Sequence, residues 1–388
     1  MTKNIYVYEG GGSNPKPLAV IDMSKYSEND SKATSAILYK KVNNVFTLEI
    51  EIPTNCDASQ SITNTSDLVL YDTEGNLQEF HVTELTDLHE YSVIRTVYAE
   101  QSISELIEDI ITGGVEMPTT TNPADYLAYI LSFTRWSVGT VDSSIYNSRW
   151  KEDLTGKNCL EALQMFMDKF NCEFIVRYES DNKNRIVARY IDIKKTIGNN
   201  YGKRFEDTKD INALKRNLDL DSIKTAIYPR IAKQSNDDKG NSVMEYIDIS
   251  SVEWSVAAGD PVNKPLGQTI IIDPDADTMY KRLNSKTGKL QERIMYAECT
   301  EQTAKDAEDL CSQAWRILKA NSVITPSYEV TASDLYRLSG NNSDYAHEQV
   351  SLGDTCIIID RKITPELRAT TRVVEIEEDL LNPINNKY

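Results

Sequence analysis

The chain has 388 residues and a mass of 43.9 kDa, which at roughly 150 residues per domain points to two or three domains. Its 42 Lys and Arg stand against 60 Asp and Glu, a formal net charge of −18, which argues against a sequence-independent grip on DNA, RNA or an anionic membrane. Apolar residues make up 40% and recur in patterned runs, so the chain is not disordered throughout, and no run approaches the ~20 residues that span a bilayer.

The first hundred residues read as β-structure. Ile5 to Tyr8 is a short strand, Gly10 to Pro15 a loop, and Leu18 to Ile21 a returning strand. The clearest alternation runs from Phe46 to Ile52 and stops at Pro53. It places Phe46, Leu48, Ile50 and Ile52 on one face, and Thr47, Glu49 and Glu51 on the other. Leu68 to Tyr71, the turn at 72–76 and Leu77 to Leu85 form a hairpin, and Tyr91 to Tyr98 is the next strand.

The period then becomes helical. Ser102 to Glu105 has a capping-box pattern, Leu106, Ile107, Ile110 and Ile111 follow at helical spacing, and Gly113-Gly114 ends the run. Asn122-Pro123 opens a second helix with Leu127, Ile130 and Leu131 inward. A third helix carries Leu160, Leu163, Met167 and Phe170. A hairpin follows, from Cys172 to Tyr178 and from Ile186 to Ile193. Extended chain resumes near 205 with Ile211, Leu214 and Leu218, then Thr225 to Pro229. Residues 234–241 form a polar loop. A helix over 303–320 puts Ala307, Leu310, Ala314 and Ile317 on one stripe. Thr355 to Asp360 is a late strand, with Ala369 to Glu377 as its partner.

Few side chains invite chemistry. Met1 to Tyr8 lacks a basic segment followed by an apolar one, so no secretory signal is expected. Cys56, Cys159, Cys172, Cys299, Cys311 and Cys356 lie far apart and read as reduced thiols of a chain made in a cytoplasm. With three His, histidine-dependent metal sites and triads are scarce. His81-x-x-Glu84 with His89 falls on a strand and fits no zinc spacing. Asp273-Pro-Asp275-Ala-Asp277 resembles half a calcium loop. The sixth and twelfth positions are Thr278 and Asn284, where Gly and Glu are needed, so an acidic turn is expected. Gly10 to Ser13 opens no helix and is a poor phosphate loop. The sequence therefore assigns no catalytic, cofactor-binding or metal residue. Trp136 and Trp150 suit either a sugar-stacking surface or a core. Tyr, at 21 against 7 Phe, suits surfaces that become buried on assembly.

Three segments carry a family resemblance. Tyr98-Ala99-Glu100-Gln101-Ser102-Ile103-Ser104-Glu105-Leu106 forms a strand-to-helix step. Gly156, Leu160 and Leu163 lead through Phe170, Glu173 and Phe174 to Ile197-Gly198 and Tyr201-Gly202. Val350-x-Leu352-Gly353-Asp354-Thr355 precedes Thr371-Arg372-Val373-Val374-Glu375-Ile376 and then Leu380-Leu381-Asn382-Pro383. In order and spacing these resemble the N-terminal hub region of phage and prophage tail-tip proteins of Gram-positive hosts, the tail-associated-lysin or prophage endopeptidase tail group. Residues 234–300 match none of its segments.

The resemblance implies an α+β, β-rich fold similar to the myophage baseplate hub, with two antiparallel β-barrel-like domains and two smaller α+β domains. The expected division is a first barrel at 1–101 and an α+β domain at 102–205. A second barrel follows at 206–235 with 322–380, interrupted by an α+β insert at 236–321, and 381–388 is a C-terminal tail. The implied function is a structural hub: a homotrimeric ring that closes the tail tube at the virion tail tip, made in the host cytoplasm. Its implied partners are a distal tail ring, a tape measure protein and receptor-binding or baseplate proteins. DNA would pass through an acidic channel without specific binding. A receptor- or glycan-binding tail protein is the second reading and a cell-wall peptidase the third. The sequence stops about five residues past Asn382-Pro383, so the enzymatic domain that follows the hub in relatives is expected to be absent, and with it any cofactor.

Overall fold

Alternating side chains build the first part of the chain. A computed structural model describes residues 4–388 apart from 11–15, 25–29, 90–92, 114–115, 121, 147–149, 151, 218, 220–221, 237–241, 301–303, 305, 324–325 and 363–366. Of the expected features, residues 11–15, Tyr91, Gly114, Leu218, residues 237–241 and Thr303 lie outside the described residues, as does the Cys299 side chain. Two compact units emerge: residues 1–214 with 329–388, and residues 215–328.

The larger unit begins with β1 (Asn4–Glu9), β2 (Ala19–Asp22), β3 (Ser35–Lys41), β4 (Thr47–Pro53), the short α1 (Asp57–Ser61), β5 (Ser66–Tyr71), β6 (Leu77–His89) and β7 (Val93–Gln101). They form an antiparallel sheet in the order β2-β1-β5-β6-β7-β4-β3, and a strand from far along the chain lies beside β3 as the eighth. The sheet curls into a half-barrel around Leu38, Leu48, Ile50, Phe80 and Val97. In β4 the alternation works as expected: Leu48, Ile50 and Ile52 are fully buried, while Glu49 and Glu51 face outward. Sequence reasoning does not find β3, because its inward row Ala36, Leu38, Lys40 ends in a charge that hides the pattern.

Residues 102–107 make a single 3₁₀ segment in place of the longer helix expected up to Gly113. The capping box cannot form. The Ser102 hydroxyl meets the Tyr178 hydroxyl at 2.9 Å, and the Glu105 carboxylate is held by His81, Arg135 and Trp136. Two true helices follow. Asn122 caps α2 (Pro123–Leu131) by accepting from the Ala124 N–H at 3.0 Å, and Asn158 caps α3 (Cys159–Phe170) by accepting from the Glu161 N–H at 2.8 Å. With β8 (Ser137–Val141), β9 (Glu173–Ser180) and β10 (Ile186–Lys194), ordered β8-β10-β9, they enclose an aromatic core of Tyr126, Trp150, Phe166 and Phe170.

The short β11 (Arg204–Glu206) and then β12 (Ile211–Asn217) lead out of the larger unit. In the smaller unit β13 (Ala226–Asn236) pairs with β14 (Ser242–Ile247), β15 (Ile271–Ile272) and β18 (Ile294–Thr300). Between the last two lie α4 (Pro274–Tyr280) and a small hairpin of β16 (Arg282–Leu283) and β17 (Leu290–Gln291). The strand at 226–236, expected with the second barrel, thus belongs to this sheet. Its Ile227 and Ile231 are buried against α5 (Ala307–Asn321). The buried stripe of α5 is Leu310, Cys311, Ala314 and Leu318. It is rotated from the expected one, and Ile317 is 36% exposed. The expected acidic turn at Asp273 is a helix start. Asp273 caps α4 and accepts from Lys319 Nζ and Ser322 Oγ, both at 2.8 Å.

The chain returns along β19 (Ser327–Ala332), which pairs with β12. It continues through α6 (Leu335–Leu338) to β20 (Thr355–Asp360), β21 (Leu367–Arg372) and β22 (Glu375–Asp379). A small sheet runs β11-β20-β21, with β11 parallel to β20. The single partner strand expected over 369–377 is two strands. β21 stays with β20, while β22 crosses to β3, where Ile376 is buried and Glu378 reaches Lys40. The expected tail is fastened too: Tyr388 exchanges backbone hydrogen bonds with Val330, and Lys387 does so with Glu377. Among the described residues no helix is long and apolar enough to cross a membrane.

Candidate functional site

The side chains singled out for chemistry are dispersed and occupied. His81 Nδ1 lies 2.5 Å from Asp67 and Nε2 lies 3.2 Å from Glu105. Burial opposes charge on the ring, but these two carboxylates outweigh it and raise its pKa to about 9. Burial likewise works against the Glu105 carboxylate. Hydrogen bonds from His81, Arg135 and Trp136 prevail and lower its pKa to about 2. His89 is eight residues farther along the same strand, about 26 Å at 3.3 Å per residue, so the two His cannot share an ion. No group of three or more His, Cys, Asp and Glu that could hold a metal occurs among the described residues. Burial raises the thiols of Cys159, Cys311 and Cys356 to about 11 and that of Cys172 to about 12, so they remain protonated. Trp136 and Trp150 are 3% and 5% exposed, which removes them as a sugar-stacking surface. Trp136 donates to Glu105 at 2.6 Å, and Trp150 packs edge-on against Tyr126 and Phe170.

What the larger unit does build is an interlock of three ion-paired nodes. In the first, Arg372 on β21 grips Glu173 on β9 with two hydrogen bonds of 2.7 and 2.6 Å. It also donates to the carbonyls of Gly353 and Ile197 at 2.9 and 3.0 Å. Beneath it Gly198 and Gly353 touch, with φ of +84° and +89°. A Cβ on Gly198 would sit 2.0 Å from the Gly353 carbonyl carbon. Asp354 accepts from the Asn199 N–H at 2.6 Å and the Ser351 N–H at 2.8 Å. The Leu-Gly-Asp, Arg-Val and Ile-Gly segments of the sequence therefore meet at one point, where they hold backbone to backbone.

The second node is Lys40, 3% exposed, which donates to Asp72 at 3.3 Å and Glu378 at 3.1 Å. Burial disfavours its ammonium, yet Glu378 and Asp72 hold its pKa above the ordinary lysine value. The third is Lys203, bound to Asp210 at 2.5 Å and Glu348 at 2.9 Å. Sequence reasoning misses both lysines, since a single chain gives no sign of which carboxylates will surround them. A cleft of about 700 Å³ opens between the first two nodes, lined by Asn43, Tyr71, Arg177, Lys194, Tyr201 and Gln349 among others.

The outer face of the half-barrel carries Glu49, Glu51 and Glu100, and at its edge Glu377, which is paired with Lys387 at 2.8 Å. Glu49 stands opposite Tyr98, Thr47 opposite Glu100, and Tyr39 lies between Thr47 and Glu377. Partial burial, then Glu377 and Glu49, push the Tyr39 hydroxyl above its usual pKa. Charge is unevenly shared between the units: 27 Lys and Arg against 43 Asp and Glu in the larger, 15 against 17 in the smaller.

A family model described as prophage endopeptidase tail matches residues 199–388, and one described as prophage endopeptidase tail domain matches residues 115–193. The two matched regions mark the chain as a prophage tail-tip protein. The first match contains Gly353 and Arg372 and the second contains Glu173, so the node at Arg372 joins the two matched regions. In fold this tail protein is similar to prophage tail protein gp18 from Listeria monocytogenes, at 14% identity and a TM-score of 0.52, covering 100% of this chain and 93% of that one. It is similar also to the 43 kDa tail protein of prophage MuSo2 from Shewanella oneidensis, at 11% identity and 0.53, covering 99% and 96%. A tail protein from Neisseria meningitidis matches at 8% identity and 0.52, covering 100% and 95%. No curated protein matches the chain.

Proposed function

We propose that this tail protein is the structural hub of a phage tail tip. Three copies form a ring that closes the tail tube and joins a distal tail ring to the host-contacting parts. The observation that carries the reading is the end-to-end likeness to three tail proteins, each matched over more than nine-tenths of both chains. The interlock supports it. Buried ion pairs contribute little net stability against apolar alternatives but penalise every misaligned arrangement, which suits a part that transmits position. Each copy offers two β-rich elements, the half-barrel of 1–101 closed by β22 and the smaller sheet of β11, β20 and β21. Three copies thus supply six, and a threefold hub can meet a sixfold tube. The excess of carboxylates keeps DNA phosphate from adhering as the genome slides past. The role proposed is structural and non-enzymatic, in line with the tail proteins that the chain resembles in fold.

Mass in solution tests the hub. Light scattering across protein and salt concentration, alone and with a distal tail protein, should show a trimer, partly dissociated when dilute because copies of charge −18 repel one another. A monomer under every one of these conditions would overturn the reading.

A further inference from the structure

The hairpin β16–β17 of the smaller unit has no apolar core of its own. Leu283 and Leu290 face each other across it, yet they are 64% and 66% exposed. Met279, at the end of the helix that leads into it, is 68% exposed. Two-residue strands are too short to hold a shape by pairing alone. Polar bonds do that work instead. Asn284 Oδ1 accepts from the N–H groups of Lys286 and Thr287 at 2.9 and 3.2 Å. The Asn284 N–H donates to the Lys289 carbonyl at 2.9 Å, and Gly288 supplies the left-handed turn at φ +65°. The tip is thus preorganised with its leucines in water. Its charge is equally marked: residues 281–291 include Lys281, Arg282, Lys286 and Lys289 and no Asp or Glu, in a chain of net charge −18.

We propose that this hairpin is an arm that docks on the outer face of the eight-stranded sheet of a neighbouring copy. Leu283 and Leu290 settle among Ile37, Tyr39 and Tyr98, and Lys286 and Lys289 face Glu49, Glu51 and Glu100. The argument is complementarity in both chemistries at once. That sheet face is half-buried, tyrosine-bearing and acidic, and it belongs to the unit with 43 carboxylates against 27 basic residues. The nearly neutral smaller unit thereby supplies the attraction that lets strongly acidic copies assemble. The inference rests on the ring reading and names the contact that would close the ring.

Sedimentation velocity of the full chain separates the two. Leu283→Asp with Leu290→Asp should weaken self-association about a hundredfold, as expected for losing a central apolar anchor, while the thermal midpoint stays unchanged because both side chains already face solvent. Lys286→Glu with Lys289→Glu should weaken it most at low salt, the gap narrowing as screening sets in toward about 1 M. Mixing that variant with Glu49→Lys, Glu51→Lys protein should restore association. If the wild type assembles and both arm variants assemble equally well, the arm is wrong and the ring stands. If the wild type never assembles, both fall. Arm-dependent binding of a labelled DNA duplex at about 0.15 M salt, with self-association untouched by the variants, would show that the hairpin serves nucleic acid and also overturns the proposal.

Discussion

The two units of this protein solve cohesion differently. The larger surrounds charged side chains with structure: Lys40, Lys203 and Arg372 each tie segments that lie far apart in the chain. The smaller is one contiguous stretch held by aliphatic contact between a sheet and α5, and it leaves apolar side chains such as Leu283 and Leu290 outside. Burying ions makes the larger unit exacting about alignment. The smaller unit also buries ionic groups, Lys264 and Asp273, but their partners Val252 and Lys319 lie within the same stretch of chain, and its aliphatic packing with leucines left in solvent makes it tolerant inside and adhesive outside.

Removing one ion of the larger unit should sharpen that contrast most. Lys40→Met leaves Asp72 and Glu378 buried without their cation, and should cost about 3–5 kcal/mol. Hydrogen exchange followed through urea unfolding should show lost protection in β3, β22 and the 72–76 turn, with α5 unchanged. Equal loss in α5 would mean the units do not unfold separately. The converse change, Leu310→Ala in the fully buried stripe of α5, should cost about 3 kcal/mol by opening a cavity, and by the same readout should leave β3 and β22 as they were.

The smallest effect is in pH. His81 lies in the larger unit, and its pKa is pushed upward, to about 9. A raised folded pKa means that the ion pairs contribute fully below about 6.5, the unfolded value, and fade as pH rises through 9. Thermal melting between pH 6.5 and 9 should therefore show the larger unit losing about 1–2 kcal/mol, a figure reduced for partial exposure of the ring. His81→Gln should flatten the profile. A slope that survives this substitution would place the titrating group elsewhere.

Local pattern was legible and long-range partnership was not. The strands β1, β2, β4 to β7, β9, β10 and β20 and the helices α2 and α3 follow from alternation, spacing and caps that each segment carries within itself. The expected helix after Ser102 fails because its capping side chains are taken by Tyr178, His81, Arg135 and Trp136, three of which lie 30 or more residues away. The sequence shows Arg372, Gly353 and Glu173 in their family order, but nothing in it says that they touch. The stripe on α5 is ambiguous for a related reason. Two overlapping helical rows are apolar, and only the sheet beneath decides between Ile317 and Leu318.

The place of β22 also sets a timetable for synthesis. Lys40 emerges from the ribosome early, and Glu378 is made 338 residues later. At 5–20 residues per second that interval lasts tens of seconds. Throughout it the β3 edge has unpaired backbone groups and a lysine missing one of its two closest carboxylates. The smaller unit, being contiguous, has all its partners in hand well before the first sheet can close. The earliest strands made are thus the last to be sealed, so a nascent chain is most vulnerable to mispairing along β3 until β22 arrives.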